Sequence, residues 1–418
     1  MALASDAPQG GFRLSMLIYD TRFRAITIQI VALVLFISAL SWLYSNLAAN
    51  LALKGRPLSF DFLWTRAGYD LAQTPIPYTN DDTHFRAAMV GLANTLILAF
   101  FGCIFATIVG VIVGVLRLSK NWLIARLMTV YVEIFRNVPL LLWILIIFVP
   151  IGELTPSPKA FQITEEMAAT GTPPEASMIL FGTVAVTNRG TYIPWPHLAN
   201  APGGMITFAI IVAVLAGSFF ANWRLIARAS AIQEATGVRP TTWWQSLVVL
   251  FLPIIVVLWA MGFYLDIPQP PTRFNFEGGF LIFHPFTALL IALTLYTGAF
   301  IAEIVRAGIL AVSRGQTEAA YALGLRPNRT MKLVILPQAL RVIIPPLISQ
   351  YLNLTKNTSL GIAVSYLDLR GTLGGITLNQ TGREVESMLL MMLIYLAISL
   401  TISSFMNLYN KSVQLKER

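Results

Sequence analysis

Apolar residues in this chain come in long runs separated by polar connectors, and the length of the runs decides what they are. A run of about 20 residues matches the hydrocarbon thickness of a bilayer at the rise of an α-helix. Such runs occupy residues 25–44, 88–116, 205–221, 246–265, 285–310, 342–364 and 388–408. A further run at 139–151 is too short to cross alone, so its helix is expected to begin near residue 124 and to be kinked at Pro139. Eight spans follow, the one at 342–364 interrupted. The runs are continuous rather than alternating, which excludes a transmembrane barrel. The expected class is an all-α, polytopic integral membrane protein. Hydrophilic loops are expected at 46–86, 152–204 and 266–284, with a glycine-rich loop from 365 to 387.

Composition agrees with the runs: 56% of the 418 residues are hydrophobic and 12% charged. A soluble domain of this length would need a charged surface that the chain lacks. The net charge of +9 does not point to nucleic acid, because the basic residues are scattered between apolar runs instead of gathered on one face. They report topology. Alternate connectors hold twice as many Lys and Arg as the opposite set, which puts both termini and the loop 313–337 in the cytoplasm. Arg13, Arg22 and Arg24 precede the first span without a small-residue cleavage site, so that span is read as uncleaved. Cys103 is the single cysteine and reads as a small hydrophobe in a span. Gly110 and Gly114 give a spacing that permits close helix approach in lipid. His84, His197 and His284 fall in loops without metal-ligand spacing, and no metal site is expected.

The densest signals lie in the last third. Thr317 is a suitable N-cap for a short helix beginning at Glu318, Gly324 a left-handed C-terminal cap, and Pro327 a first-turn residue of a second helix. Ala319 and Ala320 carry almost no side chain, so a partner surface can approach the backbone closely. Two groups of ionisable residues lie at membrane depth, where burial makes them functional candidates by default. Glu303 and Arg306 share one helix face, and Lys356 sits beside the donors Asn357 and Thr358 in the interrupted span, a candidate path or gate. The chain has no Gly-x-x-x-x-Gly-Lys-Ser/Thr phosphate loop and no visible nucleophile, base and orienter set, so it is expected to be non-catalytic, with ATP and Mg held by another chain.

The series Glu318, Ala319, Ala320, Gly324, Val334, Leu336 and Pro337, spread over 20 positions between two spans, resembles the cytoplasmic loop signature of permease subunits of ATP-binding-cassette importers. Val334 stands where Ile is usual. Pro337-Gln338-Ala339-Leu340-Arg341, Pro345-Pro346, Lys356-Asn357-Thr358-Ser359-Leu360 and Ala302-Glu303 are similar to the polar amino-acid branch, which commonly has Gly-Thr where this chain has Asn137-Val138. The resemblance implies a type I importer core of five helices, split here into residues 87–151 and 285–412. An N-terminal portion, 1–86, and an inserted block, 152–284, with two extra spans lie outside it, as in permeases of general L-amino-acid and glutamate/glutamine/aspartate/asparagine importers. It also implies an ATPase subunit gripping Glu318 to Gly324 and Leu336-Pro337, a second permease subunit, a periplasmic amino-acid-binding protein and a bacterial inner membrane. Two other readings stay open at this point: an ion-coupled transporter or channel relaying charge through Glu303, Arg306 and Lys356, and an importer of a different small polar solute.

Overall fold

The computed structural model of the chain describes residues 21–163, 167, 170–271 and 274–413. Arg13, Arg273, Lys416 and Arg418, which entered the charge count, lie outside the described residues. The described chain is mostly helical. The principal helices are α1 (Thr21–Leu53), α2 (His84–Leu116), α3 (Trp122–Asn137), α4 (Leu140–Leu154), α5 (Gly204–Thr236), α6 (Trp243–Ala260), α7 (His284–Leu310), α8 (Arg314–Ala322), α9 (Pro327–Thr330), α10 (Leu336–Asn357) and α11 (Glu384–Val413). Among the described residues, seven helical stretches are long and apolar enough to cross a bilayer, one of them running unbroken from Pro327 to Val364, and the pair α3 and α4 counts as an eighth if taken together.

That pair corrects one expectation. The chain turns by 105° between Asn137 and Leu140, a break and not a kink. The cause is local: Val138 precedes a proline and is forced into an extended conformation, at φ −107° and ψ 134°. α3 is an amphipathic helix whose start is capped by the Asn121 side chain, which accepts from the Leu123 and Ile124 amides.

α7 is the centre of the bundle, packed by α2, α3, α4 and α10. Leu98, Ile144, Leu289, Leu293, Ile301 and Leu354 form its fully buried core. The glycine spacing of α2 serves this packing as expected. A Cβ at Gly110 would lie 2.6 Å from Ile301 Cβ, and one at Gly114 would lie 2.7 Å from the Ala302 carbonyl oxygen. α1 and α6, by contrast, are not buried at all along their apolar windows.

Among the described residues, two small antiparallel sheets sit in the inserted block, mostly where the sequence reads loops. One has the order β1 (Ala185–Thr187), β2 (Gly190–Ile193), β5 (Phe280–Phe283), and the other pairs β3 (Trp195–Leu198) with β4 (Phe263–Asp266). Phe161, Ala185, Tyr192 and Phe276 make a separate core there. His84 and His284 are buried where surface positions were expected. His84 Nδ1 lies 3.0 Å from Thr377 Oγ1, and His284 Nε2 lies 2.5 Å from the Thr187 carbonyl oxygen, joining the sheet to the start of α7. Cys103 is half-buried against the main core.

Candidate functional site

The loop between α7 and α10 is a helix with a complete C-terminal cap. Gly324 has φ +75°, its amide donates to the Tyr321 carbonyl at 2.9 Å, and the Leu325 amide donates to the Ala320 carbonyl at 3.1 Å. This pair of bonds satisfies the carbonyls that a helix end leaves free. α9 then begins on Pro327, as the sequence predicts. The start is different. α8 begins at Arg314, after Ser313, so Thr317 lies within the helix and Glu318 stands mid-helix, away from the positive end. Glu318 and Ala319 are exposed and Ala320 is buried, which leaves a small-faced, acid-tipped ridge outside.

This ridge is held at its start. α8 follows α7 after three residues, and the Gln338 amide donates to the Gln316 side chain at 3.3 Å. Nearby, a Cβ on Gly308 would lie 2.3 Å from Ile343 Cγ1, so α7 and α10 are in backbone-close contact beside the loop. Pro337 has no N–H to offer the carbonyl four residues back, and the ladder immediately before it, Met331–Ile335, widens into a π-turn. Leu336 is exposed and Pro337 half-buried at this junction.

Glu303 is held by two arginines. Arg306, one turn on, reaches it at 2.6 Å, and Arg117 at the end of α2 pairs with its other oxygen. Sequence reading finds Arg306 but assigns Arg117 to a connector; nothing local marks a partner so distant in the chain. Glu303 and Lys356 do not pair, and Lys356 forms no ion pair among the described residues. Lys356 is exposed on the last turn of α10, Asn357 is half-buried, and Thr358 opens a 3₁₀ segment to Val364. Thr358 is buried and its hydroxyl donates to the Thr355 carbonyl at 2.9 Å, so it is not the free donor that the sequence suggests. Along α10, a cleft of about 900 Å³ opens between α2, α10 and α11. Its lining includes Phe100, Cys103 and Phe405, and the Thr107 and Tyr351 hydroxyls bond each other at 2.7 Å, so it offers a charged solute no partner.

The segment after α10 is wound, not a loop: 3₁₀ at Thr358–Val364, a turn of α-helix at Leu369–Gly371 and a π-turn at Thr372–Thr377. Asp368, unnoticed in the sequence, ties it down. Its Oδ1 accepts from the Gly371 amide at 2.9 Å and its Oδ2 from the Tyr395 hydroxyl at 3.0 Å. Around it the Leu369 amide donates to Thr95 Oγ1, the Tyr366 hydroxyl to the Asn94 carbonyl, and Asn94 Nδ2 to the Leu367 carbonyl. Gly91 makes room, since a Cβ there would lie 2.8 Å from the Asp368 carbonyl oxygen. Burial pushes the Asp368 carboxyl up to about 6, against the two hydrogen bonds and the nearby Arg370. The available signal is Asp followed three residues later by Gly, a turn-capping spacing.

Residues 239–415 match the family described as "Binding-protein-dependent transport system inner membrane component". BztB, the "Glutamate/glutamine/aspartate/asparagine transport system permease protein" of Rhodobacter capsulatus, is 67% identical, with 100% of each chain covered. AapQ, the "General L-amino acid transport system permease protein" of Rhizobium johnstonii, is 42% identical over 97% of this chain and 96% of its own. The solved "Crystal structure of an amino acid ABC transporter with histidines" aligns with 79% of this chain and 95% of that one at 19% identity and a TM-score of 0.43. With whole-length likeness of this order on a multi-span helical chain, the protein belongs to the binding-protein-dependent inner-membrane transport components, the permeases of ATP-binding-cassette importers.

Proposed function

We propose that this permease serves an importer of polar L-amino acids, of the glutamate/glutamine/aspartate/asparagine type or broader, and that α8 is the point where a separate ATPase takes hold. The observation that carries the coupling role is the mounting of α8. Glu318 and Ala319 are exposed on a short helix fully capped at Gly324 and anchored to two helices in backbone-close contact. A displacement imposed on such a helix moves α7 and α10, where a flexible loop would absorb it. Leu336 and Pro337 set the junction through which α10 receives it.

The amino-acid class rests on the names of the relatives at 67% and 42% identity. In this reading a periplasmic amino-acid-binding protein delivers solute to the outer face, a second permease subunit, a sister chain or a copy, completes the path, and the ATPase holds ATP and Mg. In the same reading catalysis is left to the ATPase, and the basic connectors put both termini in the cytoplasm. Lys356, exposed and in no ion pair among the described residues, is a cation that can meet a substrate carboxylate, with Asn357 beside it. Glu303 and Arg306 instead form, with Arg117, a closed charge cluster that fixes the cytoplasmic ends of α2 and α7. That arrangement breaks the chain of charges an ion-coupled relay would need.

Reconstitution in liposomes with the ATPase and binding protein tests the reading: glutamate or glutamine uptake should require ATP and all the subunits. Uptake by this chain alone under an ion gradient would overturn it.

A further inference from the structure

The inserted hairpin of α5 and α6 has its own feature, apart from the transport core. Between the two helices opens a cleft of about 680 Å³, whose lining includes Phe220, Arg224, Arg228, Pro240, Thr242 and Gln245. Two arginines one turn apart face it. Among the described residues neither forms an ion pair, and the Arg224 guanidinium lies over the Phe220 and Trp223 rings at 5.2 and 5.9 Å. The rest of the connector holds one acid, Glu234, and one more base, Arg239.

Depth along the helix fixes where this cleft lies. At 1.5 Å per residue, Arg224 and Arg228 stand about 30 and 36 Å from Gly204, so a helix that enters the hydrocarbon at Gly204 brings them out at the opposite headgroup level. Trp223, Trp243 and Trp244 are all exposed at this level, as aromatic residues of a membrane interface are. A guanidinium pair without acid partners, set at headgroup height in a cleft with apolar walls, is matched by a phosphate group that carries acyl chains.

We propose that the cleft between α5 and α6 binds the phosphate of an anionic phospholipid through Arg224 and Arg228. The guanidinium groups take the phosphate oxygens, and the acyl chains lie along Phe220 and the apolar sides of the two helices. The bound lipid fills the space between two helices that otherwise pack chiefly on one another.

Native mass spectrometry of the full chain in detergent, titrated separately with phosphatidylglycerol, phosphatidylcholine of the same acyl chains, and inorganic phosphate, tests this. Phosphatidylglycerol should bind tightest and lose affinity as salt rises. Removing both charges, in Arg224→Gln with Arg228→Gln, should weaken that binding roughly thirty-fold. Arg224→Lys with Arg228→Lys should keep most of it, and the control pair Lys120→Gln with Arg126→Gln should keep all of it. Unchanged binding in the double glutamine variant, equal weakening in the control pair, or phosphatidylcholine binding as tightly as phosphatidylglycerol would each overturn the site. Inorganic phosphate bound as tightly as the lipid, and lost in the same variant, would assign the cleft to a soluble anion and overturn the lipid.

Discussion

Gly324 offers a graded test of whether the capped end of α8 matters to transport. Its φ of +75° is a region that side chains disfavour, yet a Cβ there would meet nothing within 4 Å. Gly324→Ala therefore costs only the conformational preference, about 1 to 2 kcal/mol, and Gly324→Asn less, because asparagine tolerates this region. Gly324→Pro is of another kind. Proline holds φ near −65°, removes the donor of the 2.9 Å bond to the Tyr321 carbonyl, and pushes Leu323 out of its present φ −78°, ψ 5°, which also breaks the bond from the Leu325 amide to Ala320. The cost is about 3 kcal/mol or more, against a nine-residue helix that is marginal on its own. Because Gly324 is exposed and far from the core, the loss falls on the loop and not on insertion. In proteoliposomes with ATPase and binding protein, uptake should fall in the order glycine, asparagine, alanine, proline. Alanine should lower it by up to about thirtyfold and proline abolish it at normal membrane levels, with ATP hydrolysis no longer stimulated by loaded binding protein. A proline variant that transports normally, or an alanine variant worse than proline, would refute the coupling role of the cap.

The other expectations concern charge. Glu303→Gln leaves Arg117, 8% exposed, and Arg306 without a carboxylate; about 2 kcal/mol of stability should go, less than for a fully buried pair because Glu303 and Arg306 are partly exposed, and Arg117→Met in the same chain should restore part of it in thermal unfolding. Asp368 carries a carboxyl pushed up to about 6 from 3.8, so the folded state binds its proton more tightly than the unfolded chain; this group's contribution is most favourable at low pH and is lost as pH rises through 6. The stability difference between the native chain and Asp368→Asn should therefore shift by about 1 kcal/mol in favour of the native chain from pH 7 to pH 5, and a difference independent of pH would refute this. Lys356→Gln should raise the substrate concentration for half-maximal uptake while leaving thermal stability within about 0.5 kcal/mol, since the side chain is exposed and unpaired; unchanged uptake kinetics would remove it from the path.

Features written in consecutive residues are legible in the sequence. The number of spans, the left-handed Gly324, the first-turn Pro327 and the close-packing glycines of α2 all follow from local chemistry, and the structure has each of them. What sequence reading misses depends on residues far apart. The extended Val138 before Pro139 is local, but that α4 then packs on α7 is a contact no local pattern states. Glu303 takes Arg117 as its second partner across 186 positions, and Asp368 finds Tyr395 and the Thr95 neighbourhood from other helices. The start of α8 is missed for a different reason: Thr317 and Ser313 both have cap chemistry, and the helix continues back to Arg314, so neither side chain accepts an amide there.

The windings around α10 give the coupling argument its mechanical form. A π-turn at Met331–Ile335 precedes the helix and a 3₁₀ segment at Thr358–Val364 follows it, so regular hydrogen bonding weakens at both ends. Between them, Ala339, Ile343, Ile344, Ile348 and Leu354 are buried, and the helix is pinned to α7 where Gly308 meets Ile343. Close-packed interiors transmit displacement more readily than they deform. A displacement of α8 carried through α7 would therefore move the packed middle of α10 as a unit and concentrate bending at its irregular ends, the second of which is where Lys356 and Asn357 stand.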